Sequence, residues 1–513
     1  MTHHIDRSTL AGLTPSDQEL FQRFGTGASV RPPFVLLHQA FEAMARVRPE
    51  AVAVTHAGES LTYRELDGRA NLLAEALVRL GVRKGDRVGL FVKRSIPMVV
   101  GILGVLKAGA AYVPQDARIA PSAHLAHMVA TADIRVVLTL SEFVAALPAL
   151  PGRVVLAVDK LSGERPEPPA VVASAPEDPA VVIFTSGTTG VPNGVVVTHA
   201  NLCNVVTHGP GALGVRPGMK VSQLLNIAFD MAVWEIFVAL CNGAELVIRG
   251  TSILQAVRSV DVVIATPSVL AGLDPDLCRN VSVVAVAGER CPRLLADTWS
   301  SFTRFHNACG PTEVTIVNTV APPHRRGEEP TIGSPLPNTT VYVLDERLRP
   351  CPVGEVGELW AGGACVSQGY LGNAELTAQR YLPDPFLGGE NRMFRTRDLG
   401  RWTADGRLEH HGRTDEQVKV RGFRIELDAV TSALERTPGC ERATTVLHDG
   451  ELIGFVTPEE VNVVTASHVV AGSLPYYCVP ATVRAVAELP TTHRGKVDKR
   501  ALVAGLAAQE VMA

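Results

Sequence analysis

Short apolar runs alternate with longer amphipathic stretches through the first part of the chain. The short runs are rich in valine and isoleucine and lack strict polar alternation, which is typical of parallel strands covered on both faces. They lie at 88–93, 134–140, 153–158, 181–184, 260–264 and 281–286. Amphipathic stretches at 63–80, 96–107 and 202–213 predict helices between them. Repeated alternation of strands and helices predicts an α/β fold.

The pattern changes twice further along the chain. An acidic, proline-rich segment at 162–179 predicts a surface linker. After residue 330, apolar runs at 340–344 and 357–361 predict strands of a smaller, more antiparallel region. From residue 412 the chain is rich in charge and has an apolar pattern of its own, so we expect a separate C-terminal domain there.

Composition narrows the class of protein. The 513 residues are 46% apolar and 19% charged, which is typical of a globular chain and argues against disorder. A net charge of −4 excludes a globally basic nucleic-acid-binding surface. Nine cysteines without a C-x-x-C pair argue against a disulfide framework, and no apolar run is long enough to span a bilayer. We therefore expect a large cytoplasmic enzyme that binds neither nucleic acid nor membranes.

A glycine-rich loop follows the predicted strand at 180–184. The segment TSGTTGVPNG at 185–194 offers backbone N–H groups and hydroxyls to an anion. It is neither a Walker A loop nor a dinucleotide-binding fingerprint, because G-K-[ST] and G-x-G-x-x-G are both missing. Taken alone, the segment leaves a phosphate-binding loop and a polar surface turn equally open.

This loop resembles the phosphate loop of the ANL superfamily of adenylate-forming enzymes, and the resemblance extends in order over nearly the whole chain. Within that superfamily, the chain is most similar to amino-acid adenylation domains of nonribosomal peptide synthetases. The further matching segments are LTYREL at 61–66, LKAGAAYVP at 106–114, FD at 229–230, NACGPTE at 307–313, GEL at 357–359, FRTRD at 394–398, GRTDEQVK at 412–419, LP at 474–475 and GKVD at 495–498.

The resemblance implies a fold, cofactors and a reaction. The expected fold is a large N-terminal lobe of α/β layers with a smaller β-rich region, followed by a small mobile C-terminal α+β lobe. ATP and Mg²⁺ are the expected cofactors. An amino acid and ATP would give aminoacyl-AMP and pyrophosphate, and the acyl group would then move to the phosphopantetheine thiol of a carrier protein.

The resemblance also assigns residues to the nucleotide and to catalysis. Lys496 would bridge the substrate carboxylate and the α-phosphate, and Lys419 would serve thioester formation. Glu313 would hold Mg²⁺, while Thr312 would donate to the α-phosphate. The remaining expected nucleotide-binding residues are Thr185, Ser186, Gly187, Thr188, Thr189, Gly190, Asn307, Cys309, Asp398 and Arg413, with Asp398 accepting the ribose hydroxyls and Arg413 supporting it.

Further matches define an amino-acid pocket. Asp230 would pair with the substrate α-ammonium, while Lys496 takes the carboxylate. The other expected pocket residues are Met231, Trp234, Ile264, Ala285, Ala287, Ala308, Ile316 and Val317. Because none of these is charged, we expect a small aliphatic substrate such as valine, 2-aminobutyrate or alanine. The same apolar set, without the motif context, is typical of plain core packing.

The expected organisation is an adenylation core at 1–414 and a lid at 415–513 that carries Lys496, with a hinge at Asp415. No Gly-Gly-x-Ser carrier site follows Lys496, and no His-His-x-x-x-Asp-Gly condensation motif precedes the core. We therefore expect a freestanding adenylation enzyme that meets a separate carrier protein in trans. Some relatives also require a small activator protein, and the sequence leaves that need open.

Three positions depart from the family pattern. Asn193 stands where the loop usually has lysine, Cys309 replaces a tyrosine that stacks on adenine, and Arg397 replaces glycine. These departures bear on ATP affinity rather than on the fold. His410 and His411, directly before Gly412, are either a solvated pair or neighbours of the nucleotide.

Two other functions remain open from the sequence. An acyl- or aryl-CoA ligase of the same superfamily is the first, and Asp230 argues against it. A nucleotide-binding regulatory protein without catalysis is the second, and it is supported only by Asn193 and Cys309. Exchange of pyrophosphate into ATP that depends on an amino acid would separate these alternatives from the adenylating enzyme.

Overall fold

The computed structural model describes residues 5, 7–10, 12–165, 167, 173–187, 191–491 and 497–511. The chain divides into two compact units. The first comprises Met1–Arg118, Val129–Ile183 and Gly194–Thr414, and the second comprises Ile119–Met128, Phe184–Asn193 and Asp415–Ala513.

Helices and strands follow one another along most of the described chain. The helices, numbered α1 to α14 in chain order, are Pro15–Gly25, Leu37–Val47, Tyr63–Arg79, Ile96–Lys107, Ser122–Thr131, His199–Val206, Asp230–Leu240, Ile253–Val257, Pro267–Ala271, Arg293–Trp299, Ala374–Arg380, Leu427–Leu434, Val463–Ser473 and Lys499–Val511.

The strands, numbered β1 to β26 in chain order, are Val52–His56, Glu59–Thr62, Arg87–Val92, Ala111–Asp116, Val136–Thr139, Val154–Ala157, Pro179–Thr185, Asn193–Thr198, Lys220–Gln223, Glu245–Ile248, Val262–Ala265, Val283–Val286, Arg304–Cys309, Thr319–Val320, Ser334–Pro335, Thr339–Leu344, Gly357–Gly363, Gly369–Tyr370, Tyr381–Pro383, Arg392–Trp402, Leu408–Arg413, Gln417–Val420, Phe423–Glu426, Arg442–His448, Glu451–Thr457 and Thr482–Ala485.

Local sequence explains several helix boundaries. Helix α3 begins with a capping box, in which the Thr62 side chain accepts from the Glu65 N–H and the Glu65 carboxylate accepts from the Thr62 N–H. Helix α4 begins with the Ser95 hydroxyl as its cap and a proline in its first turn. These caps satisfy backbone donors that have no partner within the helix.

Two large sheets form the centre of the first unit. One has the strand order β15-β14-β13-β12-β11-β9-β10-β1-β2, and its strands from β13 to β1 run parallel. The other has the order β18-β8-β7-β4-β3-β5-β6. One continuous apolar core contains residues from both sheets and from helices α2, α3, α4 and α7. Buried apolar surface on both sides explains the continuous valine and isoleucine runs of the sequence.

A third sheet of the first unit is antiparallel. Its order is β16-β17-β20-β19, with β21 paired to the far part of β20. Helix α1 packs on this region, where Phe21 stacks on Tyr342 with ring centroids 5.6 Å apart. The strands predicted at 340–344 and 357–361 belong to this sheet, which confirms the smaller β-rich region.

The second unit has its own core. Strands β22 and β23 form an antiparallel hairpin, and β24, β25 and β26 form a three-stranded sheet. Apolar residues of α12 and α13 pack with β24 and β25, including Val430, Leu434, Val456 and Val470. The C-terminal unit is therefore α+β.

Two predicted elements were wrong in detail. The helix predicted over 202–213 ends at Val206, because Gly209 takes a positive φ of 65° and Pro210 begins a separate 3₁₀ turn. The strand predicted over 153–158 is not covered on both faces. It is β6 at a sheet edge, where Val154 is 42% exposed.

Candidate active site

The candidate site begins at the carboxyl ends of parallel strands in the first unit. The 307–313 segment covers the end of β13 and the turn that follows it, and Ala287 directly follows β12. Asp230 is the first residue of α7, after the loop that leaves β9. In open parallel sheets, ligands bind outside these strand ends, so the topology places the predicted residues in the expected region.

Asp398 and Arg413 face each other on neighbouring antiparallel strands, β20 and β21. Arg413 Nη1 donates to Asp398 Oδ1 at 2.7 Å, and Arg413 Nη2 donates to the Thr396 carbonyl at 3.2 Å. Both side chains are mostly buried, at 12% and 13% exposure. Asp398 and Arg413, the residues predicted to bind and support the ribose, therefore form a hydrogen-bonded ion pair.

Cys309 and Asp398 line the same small pocket. Thr319, Ile332 and Leu408 contribute to its wall. The structure thus brings together two residues that lie far apart in sequence and that both resemble nucleotide-binding positions. The wall where the family has a stacking tyrosine is formed here by the smaller Cys309.

Asn307 lies two residues before Cys309 on β13. Its Nδ2 donates to the Thr331 carbonyl at 2.9 Å. Its Oδ1 is buried and has no hydrogen-bond partner in the described part of the chain. A buried acceptor without a donor is costly, and the predicted role of Asn307 in binding the nucleotide stays a prediction.

Thr312 and Glu313 form a short 3₁₀ turn, Thr312–Val314, directly after β13. The Glu313 side chain is completely buried, and Tyr370 Oη donates to its Oε1 at 2.7 Å. The next two residues, Thr315 and Ile316, have φ values of 62° and 70°, a conformation that β-branched residues rarely adopt. Backbone strain of this kind is concentrated at functional sites.

The glycine-rich loop is described in part. Thr185 ends β7, and its hydroxyl donates to the Asn193 carbonyl at 3.4 Å. Within the second unit, Ser186 Oγ donates to the Arg424 carbonyl at 3.0 Å. A Cβ on Gly187 would lie 2.2 Å from the Val191 carbonyl oxygen, so the close approach of the two stretches requires glycine. Thr188, Thr189 and Gly190 lie outside the described residues.

The predicted apolar pocket residues are all buried in the first unit. Ile264 and Ala285 are register partners on β11 and β12, and Ala285 is the partner of His306 on β13. All eight belong to the large core of the first unit: Met231, Trp234, Ile264, Ala285, Ala287, Ala308, Ile316 and Val317. Their role in binding a substrate stays a prediction.

Met231 and Trp234 occupy successive turns of α7. The Trp234 indole is completely buried and donates from Nε1 to the Gly211 carbonyl at 2.7 Å. Met231 Sδ lies 3.4 Å from the position that a Cβ on Gly288 would take. Trp234 is thus held by the main chain, while Met231 packs beside a glycine just beyond the end of β12.

The predicted lid residues are only partly described. Lys419 is exposed on β22, opposite Arg424 across the hairpin. Asp415 Oδ1 accepts from the Gln417 N–H at 3.4 Å. Lys496 lies outside the described residues, so the pairing of one substrate by Asp230 and Lys496 stays a prediction.

Two polar residues near the site, Tyr370 and Glu235, were not predicted from the sequence, and the sequence left the surroundings of a third, His410, open. Tyr370 bonds to Glu313, and His410 Nε2 lies 3.2 Å from Asp398 Oδ1. Glu235 on α7 is completely buried and accepts the Leu224 N–H at 2.6 Å. Burial raises the pKa of Glu235 to about 8, although the hydrogen bonds that the Glu235 carboxylate accepts from the backbone oppose this rise. The adjacent pair His410-His411 was the only sequence signal among these.

The predicted Mg²⁺ ligand is Glu313, and that role stays a prediction. The described residues contain no group of three or more histidine, cysteine, aspartate or glutamate side chains that could hold a metal ion. A single buried carboxylate such as Glu313 nevertheless suits Mg²⁺, which binds one or two protein carboxylates together with phosphates and water. Among the described helices, none combines the length and apolar character needed to cross a membrane.

Comparison with known proteins places the chain in a family. Residues 41–371 match the family described as AMP-binding enzyme. Adenylate-forming reductase 03009 of Coprinopsis cinerea is 45% identical over 502 residues, which cover 96% of this chain and 49% of the reductase. Nonribosomal peptide synthetase sirP of Leptosphaeria maculans is 37% identical over 472 residues, 91% of this chain and 22% of the synthetase.

A solved structure shows the same fold. It is NpsA-ThdA, an artificially fused adenylation-PCP di-domain nonribosomal peptide synthetase from Klebsiella oxytoca. Its TM-score is 0.78 at 25% identity, covering 87% of this chain and 93% of that one.

The fold and the family match together define an adenylate-forming enzyme. The chain belongs to the AMP-binding enzyme family, within the ANL superfamily, and has nonribosomal peptide synthetase adenylation domains among its relatives. The expected α/β fold, with a large N-terminal lobe and a smaller C-terminal lobe, is confirmed. The chain spans about half the length of the adenylate-forming reductases that it matches.

Proposed function

We propose that this chain activates a small aliphatic α-amino acid with ATP and transfers it to the phosphopantetheine thiol of a carrier protein. In the first step, a carboxylate oxygen attacks the α-phosphorus, and the bond to the leaving pyrophosphate breaks. In the second step, the thiol sulfur attacks the acyl carbon, loses its proton, and AMP leaves. The observation that supports nucleotide binding most directly is the mostly buried Asp398 carboxylate, which accepts a hydrogen bond from Arg413 on the neighbouring strand at 2.7 Å.

The roles proposed for Asp398 and Asn307 in binding ATP follow from the hydrogen bonds that their side chains can accept. The Asp398 carboxylate can accept two ribose hydroxyls, a geometry matched to a vicinal diol, while Arg413 keeps its negative charge compensated. Asn307 Oδ1 is a buried acceptor suited to the adenine amino group. Loss of the stacking tyrosine at Cys309 removes an aromatic contact, so we expect polar contacts to carry more of the ATP affinity.

The phosphate roles rest on charge. Glu313 would hold Mg²⁺, which neutralises phosphate charge, and Thr312 would donate to the α-phosphate. Nucleotide and amino-acid binding would belong to residues 1–414, and the lid that carries Lys419 and Lys496 to 415–513, with Asp415 as the hinge. Positive charge from Lys496 at the reacting atoms would stabilise the transition state more than the ground state.

The amino-acid assignment rests on Asp230 beside the apolar set on α7, β11 and β12. A carboxylate there favours a substrate with an α-ammonium group and disfavours one without it, since a partly buried charge would lose a partner. The apolar lining favours an uncharged side chain. One methylene in such a pocket is worth about 1–3 kcal/mol, so neighbouring aliphatic amino acids should all be accepted to some degree.

A second candidate differs in the fate of the acyl group. Relatives named adenylate-forming reductases are 45% identical, whereas the peptide synthetase of Leptosphaeria maculans is 37% identical. This difference supports an adenylation unit whose acyl product is reduced rather than condensed. In that case the substrate is a carboxylic acid activated by the same first step, and Asp230 decides whether it carries an amine.

The test is exchange of labelled pyrophosphate into ATP over a panel of acids. The panel contains the twenty standard amino acids, 2-aminobutyrate, and the amine-free partner of valine, 3-methylbutanoate. We expect exchange with valine, 2-aminobutyrate or alanine and much weaker exchange with 3-methylbutanoate. Exchange with no acid refutes catalysis, and preference for the amine-free acid refutes the amino-acid assignment.

Two controls belong to this test. Lys496→Ala should lose exchange by about 100-fold or more, because it removes a charge from the transition state, while ATP binding and folding persist. The acceptor is then identified by offering holo-carrier protein and coenzyme A separately to the preformed adenylate. Transfer to coenzyme A alone would favour a CoA ligase.

A further inference from the structure

His410 lies on β21, opposite Gly400 on β20 and three residues before Arg413. Its Nε2 is 3.2 Å from Oδ1 of Asp398. The imidazole is 30% exposed, whereas the carboxylate is 12% exposed, so the ring covers part of a carboxylate that is mostly removed from water. Neither the family match nor the motif that contains Gly412 and Arg413 assigns a role to this histidine.

The backbone determines which ring nitrogen of His410 donates. The Gly412 N–H donates to Nδ1 at 3.3 Å. A neutral imidazole has one donor and one acceptor nitrogen, so accepting at Nδ1 leaves the proton on Nε2. Nε2 therefore donates to Asp398.

Asp398 Oδ1 thus receives two donors from the same neighbouring strand. Arg413 Nη1 approaches it at 2.7 Å and His410 Nε2 at 3.2 Å. The Asp398 N–H also donates to Thr396 Oγ1 at 3.0 Å, which ties the backbone at this point. Hydrogen bonds to a mostly buried carboxylate are stronger than those in water, so together these contacts restrict rotation of the carboxylate.

We propose that His410 is a positioning residue for nucleotide recognition: it holds the Asp398 carboxylate in the orientation that accepts the ribose diol. The inference rests on the proposed function only in that ATP is the ligand. A carboxylate that recognises two adjacent hydroxyls depends on the orientation of its plane. The bond from Arg413 by itself permits that plane to turn about the contact, and the second donor restricts this rotation.

His411 provides a matched control on the same strand. Its side chain is more exposed than that of His410 and contacts Glu409, which is itself paired with Arg401. Replacing His411 with phenylalanine makes the same chemical change one residue away, without touching Asp398.

The experiment measures equilibrium binding of ATP and of 3′-deoxy-ATP, each with Mg²⁺, by titration calorimetry. The proteins are the full chain and its His410→Phe, His410→Gln and His411→Phe variants, each checked for thermal unfolding. Phenylalanine keeps the ring and removes the donor, whereas glutamine places an amide N–H near the position of Nε2. Binding is measured without an acid substrate, so the result does not depend on which acid the enzyme activates.

We expect His410→Phe to weaken ATP binding by about three- to tenfold, the size of one hydrogen bond to a charged group shared with Arg413. The affinity of this variant for 3′-deoxy-ATP should change by less than about twofold. That ligand lacks one of the two hydroxyls whose binding depends on the orientation of the Asp398 carboxylate. His410→Gln should recover most of the ATP affinity, and His411→Phe should match the unaltered chain.

Unchanged ATP affinity in His410→Phe overturns the proposal. So does an equal loss for both nucleotides, which would indicate a general structural effect, or the same loss in His411→Phe. If the unaltered chain binds no ATP, this inference and the proposed function both fail. Normal ATP binding without pyrophosphate exchange on any acid refutes the proposed function alone.

Discussion

The phenol of Tyr370 donates to Oε1 of Glu313 across 2.7 Å, between residues that are 57 positions apart in sequence. Glu313 is completely buried, and its carboxylate contributes to raising the pKa of Tyr381, after the larger effect of burial. The residue proposed to hold Mg²⁺ is therefore oriented by a neighbouring strand. A residue that hydrogen-bonds to a metal-binding carboxylate orients it and changes its affinity for the metal.

Replacing Tyr370 with phenylalanine should affect both stability and metal use. Loss of the hydrogen bond to a buried carboxylate should lower the free energy of unfolding by about 1–3 kcal/mol. The half-saturating Mg²⁺ concentration in pyrophosphate exchange should rise, because Glu313 loses its fixed orientation. Denaturant unfolding and a Mg²⁺ titration measure the two effects, and an unchanged Mg²⁺ dependence would contradict the role of Glu313.

Asp230 should select for the substrate amine. In Asp230→Asn, the side chain keeps its size at the start of α7 but loses the charge that pairs with an ammonium group. We expect kcat/KM for valine to fall by at least about tenfold, whereas 3-methylbutanoate changes little or improves. Pyrophosphate exchange with the two acids gives the ratio directly. An equal fall for both acids would mean that Asp230 acts on the fold rather than on the amine.

Arg397 should reveal backbone strain beside Asp398, the carboxylate proposed to bind the ribose. Its φ is +63°, in the left-handed region, and its carbonyl accepts the Thr414 N–H at 2.9 Å. Arg397→Gly and Arg397→Ala both remove the side chain, and only glycine adopts this conformation without steric cost. We expect the alanine variant to be less stable than the glycine variant by about 0.5–1 kcal/mol in denaturant unfolding. Equal stability would mean that the backbone relaxes at this position.

A pair of buried histidines should make the fold sensitive to acid. His38 and His199 lie with ring centroids 5.4 Å apart. Burial lowers the pKa of His38 to about 4 and that of His199 to about 3, with Glu42 opposing the shift at His38 and His38 itself adding to the shift at His199. Both rings are therefore neutral in the folded chain at neutral pH.

The sign of the pH effect follows from these values. Unfolded histidine takes up a proton near pH 6.5, while the folded rings do not until about pH 4 or below. Stability is thus fully present above pH 6.5 and is lost as the pH falls, by up to about 1.4 kcal/mol per pH unit for each ring. His199→Asn, whose Oδ1 can still accept the Leu37 N–H, should unfold with a shallower pH dependence between 6.5 and 4. His411→Asn serves as the exposed control, and equal slopes in all three proteins would refute the assignment.

Local sequence patterns predicted many residues of the candidate site. The valine-rich runs at 260–264 and 281–286 predicted β11 and β12, because the alternation and composition of a strand indicate whether it is buried on one or both faces. Motif order predicted binding roles for Asp398, Arg413, Asn307 and Glu313. The structure places these residues at strand ends or on paired strands, and their roles stay predictions. The edge position of β6 was missed, since a valine run does not show whether a neighbouring strand lies on each side.

The chemical identity of the site is encoded in short stretches of sequence, since a motif joins side-chain types to the turn or strand end that presents them. Side-chain contacts between segments that are distant in sequence depend on strand register, and the local hydrophobic pattern of a segment does not specify that register. The bond from Tyr370 to Glu313 spans 57 residues, and the bond from His410 to Asp398 spans 12 residues across a ladder with a bulge. Folding alone sets which donor reaches which carboxylate and removes the water that would weaken the bond. The sequence motifs determine which charged side chains this enzyme has, and tertiary packing sets the orientation of those side chains.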